Sequence, residues 1–194
     1  MASIQLPIDH FQQRQEGECL AACAVMALTY LGLAADYNRL LKLLEVEPEV
    51  GAIFSKVRKL ESLGVQVVYK RGNLDELREH LENNRPCIAL VKTGELPYWD
   101  YSTDHAVVVS GMDDQFVYLN DPALPFPMPL SRSRMATSAW RGWSEMSFMR
   151  LYRGARSPRA TTESSPTPSP SPRARLRQVD WGPSVRGYPR RRGR

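Results

Sequence analysis

Residues 17–32 read GECLAACAVMALTYLG. A polar lead-in, QRQEGE, runs directly into a segment that is apolar on nearly every side from residue 19 to residue 31. Such a pattern predicts a helix buried at the centre of a domain rather than one lying on its surface. Gly32 suits its end, because glycine tolerates the positive φ of a helix C-terminus. The chain therefore opens on its own core helix. Cys19 stands at the start of that helix, with Cys23 one turn further in. Cysteine is among the most buried residue types, so packing is the usual reason for one here. A cysteine at a helix N-terminus has a second use, since the end of the helix stabilises a thiolate and makes a nucleophile.

Outward from this helix, the body reads as helices first and strands later. Asp36 can cap a second helix, 37–45, which Pro48 stops. Residues 52–63 form a third, with Ile53, Val57, Leu60 and Leu63 as its apolar stripe and Gly64 at its end. VQVVY (65–69) reads as a strand, and Asn73 caps a short helix, 74–82, that presents His80 on its exposed face. CIALV (87–91) is a buried strand. HAVVVSG (105–111) and QFVYLND (115–121) then flank a Gly/Asp turn, which predicts a β-hairpin. PALPFPMPL is extended, residues 138–140 close a short helix, and 146–152 form a last strand. Helices followed by mostly antiparallel strands indicate an α+β domain.

Composition breaks near Gly154. Residues 153–194 hold eleven Arg against Glu163 and Asp180, a net +9, whereas residues 1–152 carry −4. The expected organisation is one domain, 1–153, followed by a disordered Pro/Ser/Arg-rich basic tail, 154–194, too poor in apolar residues to offset its ordering entropy. The tail's charge permits nucleic-acid or anionic-membrane binding, but a solvated tail is the simpler reading. Three cysteines are too few for a disulfide scaffold. The N-terminus lacks the pattern of a signal peptide, and no apolar run is long enough to span a bilayer. A reduced, cytoplasmic setting is expected. Cys19, Cys23 and Cys87 with distant histidines do not make a metal site, so neither metal nor cofactor is expected.

A thiol nucleophile needs a base, and usually a third group to orient that base. The chain has three histidines, His10, His80 and His105, and only His105 opens a rigid, apolar strand. If the hairpin turn centres on Asp113, His105 lies directly opposite Asp121, close enough for the carboxylate to hold the imidazole. A slip of one residue would offer Asn120 instead. Asp104 points to the opposite face of its strand. Pro97, Tyr98 and Trp99 lead into His105, where they either wall a cleft and read substrate side chains or cap the sheet.

QRQEGECLAACAVMALTYLG resembles the N-terminal signature of the bacteriocin-processing cysteine peptidases, a papain-like family, in which a Gln precedes the nucleophilic Cys by six positions. Gln13 and Cys19 have that spacing, and Tyr30 and Gly32 fall in register. HAVVVSGMDDQFVYLNDPA is similar to the second signature, a His opening a hairpin that closes in Asp–Pro. The resemblance covers residues 11–152. It implies a papain-like fold, with Cys19 as nucleophile, His105 as general base and then acid, and Asp121 as its orienting partner. It also implies that the Gln13 side chain and the Cys19 backbone N–H form the oxyanion hole, and that the substrate is a peptide or protein. Leu20 departs from the family's usual Gly after the Cys and could crowd the cleft. The same residues would serve an amidase or transamidase, or a catalytically silent leader-peptide binder. Oligomeric state is not encoded in any of these patterns.

Overall fold

The computed structural model describes residues 3–131 and 147–153. At its centre lies α1 (Cys19–Tyr30), whose residues Leu20 to Leu28 are all buried. Its one side is covered by α2 (Tyr37–Leu43), and it packs against the sheet strands β3 (Cys87–Lys92) and β4 (Asp104–Met112). Small residues, Ala21, Ala22, Ala24 and Ala27, let the helix sit close to its neighbours, while Leu20, Met26 and Leu28 fill the space between. Truncating such a fully buried leucine to alanine costs about 2–5 kcal/mol.

The sheet has the strand order β2-β7-β3-β4-β5-β6, with β1 (Ile4–Gln5) paired to the end of β4. Here β2 is Val65–Arg71, β5 Phe116–Asn120, β6 Met128–Ser131 and β7 Ser147–Arg153. Every pairing is antiparallel. Strand β4 sits between β3 and β5 and is buried from His105 to Met112, which gives the site a rigid central floor. The architecture is therefore α+β, with the helices early in the chain packed on a mostly antiparallel sheet.

Most elements fall where the sequence puts them, and Asp36 and Asn73 both cap their helices through side-chain oxygens. Four details differ. Residues 54–63 wind as a 3-10 helix, Phe54–Leu63, instead of an α-helix. Phe54, Val57 and Leu60 recur every third residue and are buried, the period of a 3-10 helix, whereas Ile53 is left outside at 69% exposure. His80 is buried rather than exposed, because it shares the inward stripe of α3 (Leu74–Glu82) with Leu77 and Leu81. The segment after Asp121 begins as a turn, closed by the Leu124 N–H on the Asp121 carbonyl, before becoming β6.

The hairpin register is the fourth. Val108 faces Asn120 and Val109 faces Leu119, and an irregularity between Val109 and Gly111 shifts the pairing by one further on. His105 is thus not directly opposite Asp121. Continued by one residue, the register sets Asp121 level with Val107, two residues from His105. A two-residue offset conserves the face of the sheet, so the two side chains remain diagonal neighbours. The helix expected at 138–140 and the tail from 154 lie outside the described residues.

Candidate active site

Cys19 begins α1, so its backbone N–H is one of the first four that have no acceptor within the helix. Glu18, the residue before it, does not cap the helix through its side chain. Its carboxylate is buried and turns back instead. Oε2 accepts from the Arg14 and Gln15 amides at 3.2 and 3.1 Å and from the Tyr37 hydroxyl at 2.7 Å. The Arg14 guanidinium lies 4.7 Å from the centre of the Tyr37 ring. This knot fixes the turn that delivers the thiol. Nothing in the local pattern of QRQEGE marks Glu18 for that role, because its partner Tyr37 lies in another helix.

Gly17 completes the turn at φ +83°. A Cβ there would lie 2.8 Å from the backbone nitrogen of Gly51, itself at φ +104°. The two glycines allow the 47–51 loop to lie backbone to backbone against the approach to Cys19. The loop folds on itself through a Glu47–Gly51 bridge.

His105 is buried at the start of β4. Its Nε2 lies 2.7 Å from Asp121 Oδ1. That leaves Nδ1 facing the Cys19 thiol, whose charged form the ring favours. The β4–β5 ladder stops at Val108–Asn120, and beyond it the Ala106 amide favours a negative sulfur, as does the amide of Leu20. Asp121 has no exposed surface and accepts four hydrogen bonds. Oδ1 takes His105 and the Ala123 amide at 2.9 Å. Oδ2 takes the Tyr98 hydroxyl at 3.1 Å and the Trp99 indole N–H at 3.2 Å. The Trp99 ring also packs against the His105 ring, centroids 5.1 Å apart.

The electrostatics follow from these contacts. Burial pushes the Cys19 thiol up, but the His105 bond and charge, with the Ala106 and Leu20 amides, outweigh it and hold the thiol below its usual value. Burial opposes a charged His105 ring, yet its bonds to Asp121 and Cys19 raise it to about 9. Burial likewise opposes ionised Asp121, and His105, Ala123 and Trp99 together bring it below the ordinary carboxylate value. All three shifts thus favour the charged forms, thiolate, imidazolium and carboxylate. Cys23 is the contrast: burial, then the negative charges of Cys19 and Asp121, push its thiol well up and leave it inert.

Gln13 lines the same cleft as Cys19. Its backbone N–H bonds to the Pro122 carbonyl at 2.8 Å. Asn120 Nδ2 reaches the Ile8 carbonyl, and His10 Nε2 donates to the Leu124 carbonyl at 2.7 Å. Three bonds therefore strap residues 8–13 to the turn around Asp121, and Asn120 is occupied elsewhere than at His105. One hydrogen of the Gln13 amide goes to the Gln15 carbonyl at 3.0 Å, leaving the other available. Asp104 pairs with Lys92 away from the ring. Trp99 lines the cleft; Tyr98, expected beside it there, directs its hydroxyl to Asp121 instead.

The cleft encloses about 1100 Å³ between the Cys19 turn, the 47–53 loop and the approach to β4. Val50 and Ile53 line it at 79% and 69% exposure, with Tyr101 also open to solvent. Leu20 is almost wholly buried beside Cys19, so its bulk is largely absorbed by the core. Among the described residues no group of His, Cys, Asp and Glu could hold a metal ion, and no helix is long and apolar enough to cross a membrane.

A family model described as Peptidase C39 family matches residues 8–143, from the strap through the cleft and beyond the Asp121 turn. The chain belongs to the Peptidase C39 family. Membership places it among the cysteine-type peptidases. Comparison with curated proteins finds no match. Solved C39 structures share its papain-like fold. A putative C39-like peptidase from Bacillus anthracis is 17% identical, with a TM-score of 0.63, over 79% of this chain and 99% of that one. A double glycine motif protease from an AMS/PCAT transporter, solved in complex with the leader peptide, is 18% identical, with a TM-score of 0.57, over 77% and 99%. The peptidase domain of Streptococcus ComA, a bi-functional ABC transporter involved in a quorum sensing pathway, is 14% identical, with a TM-score of 0.57, over 75% and 98%.

Proposed function

We propose that this C39 chain hydrolyses peptide bonds through a Cys19–His105–Asp121 triad. The observation that carries the reading is the unbroken line of contacts from the thiol to the imidazole to a fully buried carboxylate, opening on a long cleft. Cys19 Sγ attacks the scissile carbonyl, and the displaced electron pair goes to its oxygen. The second Gln13 amide hydrogen and the Cys19 backbone N–H receive that oxyanion. As the C–N bond breaks, the His105 imidazolium protonates the leaving amine and a thioester remains. Water then gives a proton to His105 and attacks the thioester carbon, and the C–S bond breaks to release the carboxylic acid. Asp121 holds the ring in orientation and stabilises its charged form throughout.

The substrate is a peptide with apolar side chains. Val50, Ile53 and Tyr101 offer open apolar surface along the cleft, and a structurally similar protease was solved with a leader peptide. Incubation with synthetic peptides in which a leader with a double glycine is followed by several further residues, analysed by mass spectrometry, tests this directly. Cleavage that disappears in Cys19→Ala and His105→Ala supports the reading. Tight binding without cleavage by the unmutated chain would overturn it in favour of a silent binder.

A further inference from the structure

Tyr98 and Trp99 stand immediately before β4 and look, by sequence, like residues that wall a cleft. Their polar atoms do something else. Both converge on Oδ2 of Asp121, the oxygen that His105 does not use. A carboxylate held only through Oδ1 could pivot about its side-chain bonds. Donors on the second oxygen remove that freedom and keep the first aimed at Nε2. We propose that Tyr98 and Trp99 are positioning residues of the triad, acting on His105 through the second oxygen of Asp121. This rests on the peptidase reading above and adds to it residues outside the triad and the oxyanion hole.

The surroundings of Asp121 leave the task to them. Its titratable neighbours among the described residues are His105 on β4, Tyr98 on the preceding loop and Cys23 on α1, with Cys19 beyond the imidazole. None but His105 brings a positive charge. The remaining donor, the Ala123 amide, also bonds to Oδ1. Among the described residues only Tyr98 and Trp99 hold Oδ2. Tyr98 is kept protonated for this by burial first, then by Asp121, which together raise its phenol well above the usual value. Trp99 adds a second function, because its ring lies against that of His105 and edge-on to Tyr101 at 5.2 Å. A substrate lying on Trp99 in the cleft thus rests on the residue that orients the base.

The sign of the effect follows. Without an Oδ2 donor, ionised Asp121 is less favoured and less well aimed, so the imidazolium loses stabilisation. The thiolate loses its counter-ion in turn, and Cys19 needs a higher pH to ionise. The test is the pH dependence of Cys19 alkylation by iodoacetamide in the full chain, alongside kcat and KM on a cleaved peptide. Tyr98→Phe keeps the ring and removes only the hydroxyl. It should move the alkylation curve to higher pH, slow labelling at pH 6 roughly fivefold to tenfold and lower kcat similarly, with KM unchanged. Trp99→Phe should move the alkylation curve and lower kcat in the same way, its KM changing as well because it lines the cleft, and the double variant should lose more kcat than the product of the two, since either donor alone still holds Oδ2.

A rise in KM with unchanged kcat and an unmoved alkylation curve would mean substrate contact only, and would overturn the proposal. Wild-type behaviour of Tyr98→Phe together with Trp99→Phe would do so too. Thermal melting shows whether each variant folds. Should Tyr98→Phe fail to fold, Trp99→Phe and the chemical shift of the His105 ring N–H carry the same test. If Cys19 of the unmutated chain shows no reactivity at low pH, the peptidase reading falls, and this proposal with it.

Discussion

The imidazole of His105 reaches Asp121 diagonally across the end of the β4–β5 ladder, with Nε2 2.7 Å from Oδ1. A diagonal pair is further apart at the backbone than a facing one. The carboxylate must therefore be held in place by more than its strand, and four donors do so.

Replacing Asp121 tests that arrangement. Asp121→Ala leaves one buried and three partly buried donors without an acceptor and should cost about 3 kcal/mol of stability, read as a lower midpoint in urea unfolding. Asp121→Asn keeps an acceptor oxygen and should unfold closer to the unmutated protein. Its activity should still drop, by roughly a hundredfold or more, because an amide does not stabilise the imidazolium.

The pH–rate profile should be bell-shaped. Activity rises as Cys19 ionises, at a pH below the ordinary thiol value, and falls as the His105 imidazolium loses its proton near 9. The linkage to stability has the same upper edge. His105 is raised from 6.5 to about 9 on folding, so its contribution is complete below 6.5 and lost as pH climbs through 9. Asp121 is lowered on folding, and its contribution is lost as pH falls below the ordinary carboxylate value. Melting temperatures between pH 3 and 10 should decline at both ends, and His105→Ala should flatten the alkaline decline.

Gly17→Ala should displace the nucleophile. The added methyl would meet the Gly51 backbone nitrogen at 2.8 Å, on a residue already at positive φ. Backbone cannot yield as a flexible side chain does. The expected result is a loss of kcat of roughly tenfold to a hundredfold, with a destabilisation of about 1–3 kcal/mol. Unchanged kcat in a folded variant would show that the glycine contact does not place Cys19.

Glu18→Ala should destabilise the chain by about 2–4 kcal/mol, since the Arg14 and Gln15 amides and the Tyr37 hydroxyl lose their shared acceptor. Glu18→Gln, which retains an acceptor oxygen, should recover part of this in a denaturant titration. Tyr37→Phe should lie between the two.

Val50→Ser and Ile53→Ser test the rim of the cleft. Both residues are exposed, so melting temperature should hardly change. On a peptide with apolar side chains, KM should rise severalfold while kcat is kept. Equal KM values would place the substrate elsewhere.

The elements of the fold were legible where they depend on local pattern. An all-round apolar helix, two capped helices and a hairpin can each be read from one short continuous stretch, and so can a cysteine at a helix start. What could not be read depends on distant partners. The hairpin register differs by two at the site end because its turn is placed differently from a centre at Asp113, and the irregularity at Val109–Gly111, where β1 also pairs, changes it by one more along the ladder. His80 is inward because α3 packs on β1, β3 and β4. Glu18 needs Tyr37, Gly17 needs Gly51, and Tyr98 needs Asp121. Each of these pairs joins segments whose proximity is a product of the fold.

Cys19 belongs to a helix near the start of the chain, while Ala106, His105 and Asp121 arrive only with β4 and the turn after β5. During synthesis, then, the thiol emerges long before anything can activate it. A nascent or half-folded chain carries an ordinary cysteine with an ordinary reactivity. On the proposed mechanism, cutting power switches on late, when the sheet closes on the helix, and is lost again as soon as the two part. By the same mechanism a chain caught midway through folding does not cut, and the fold serves as its own safety catch.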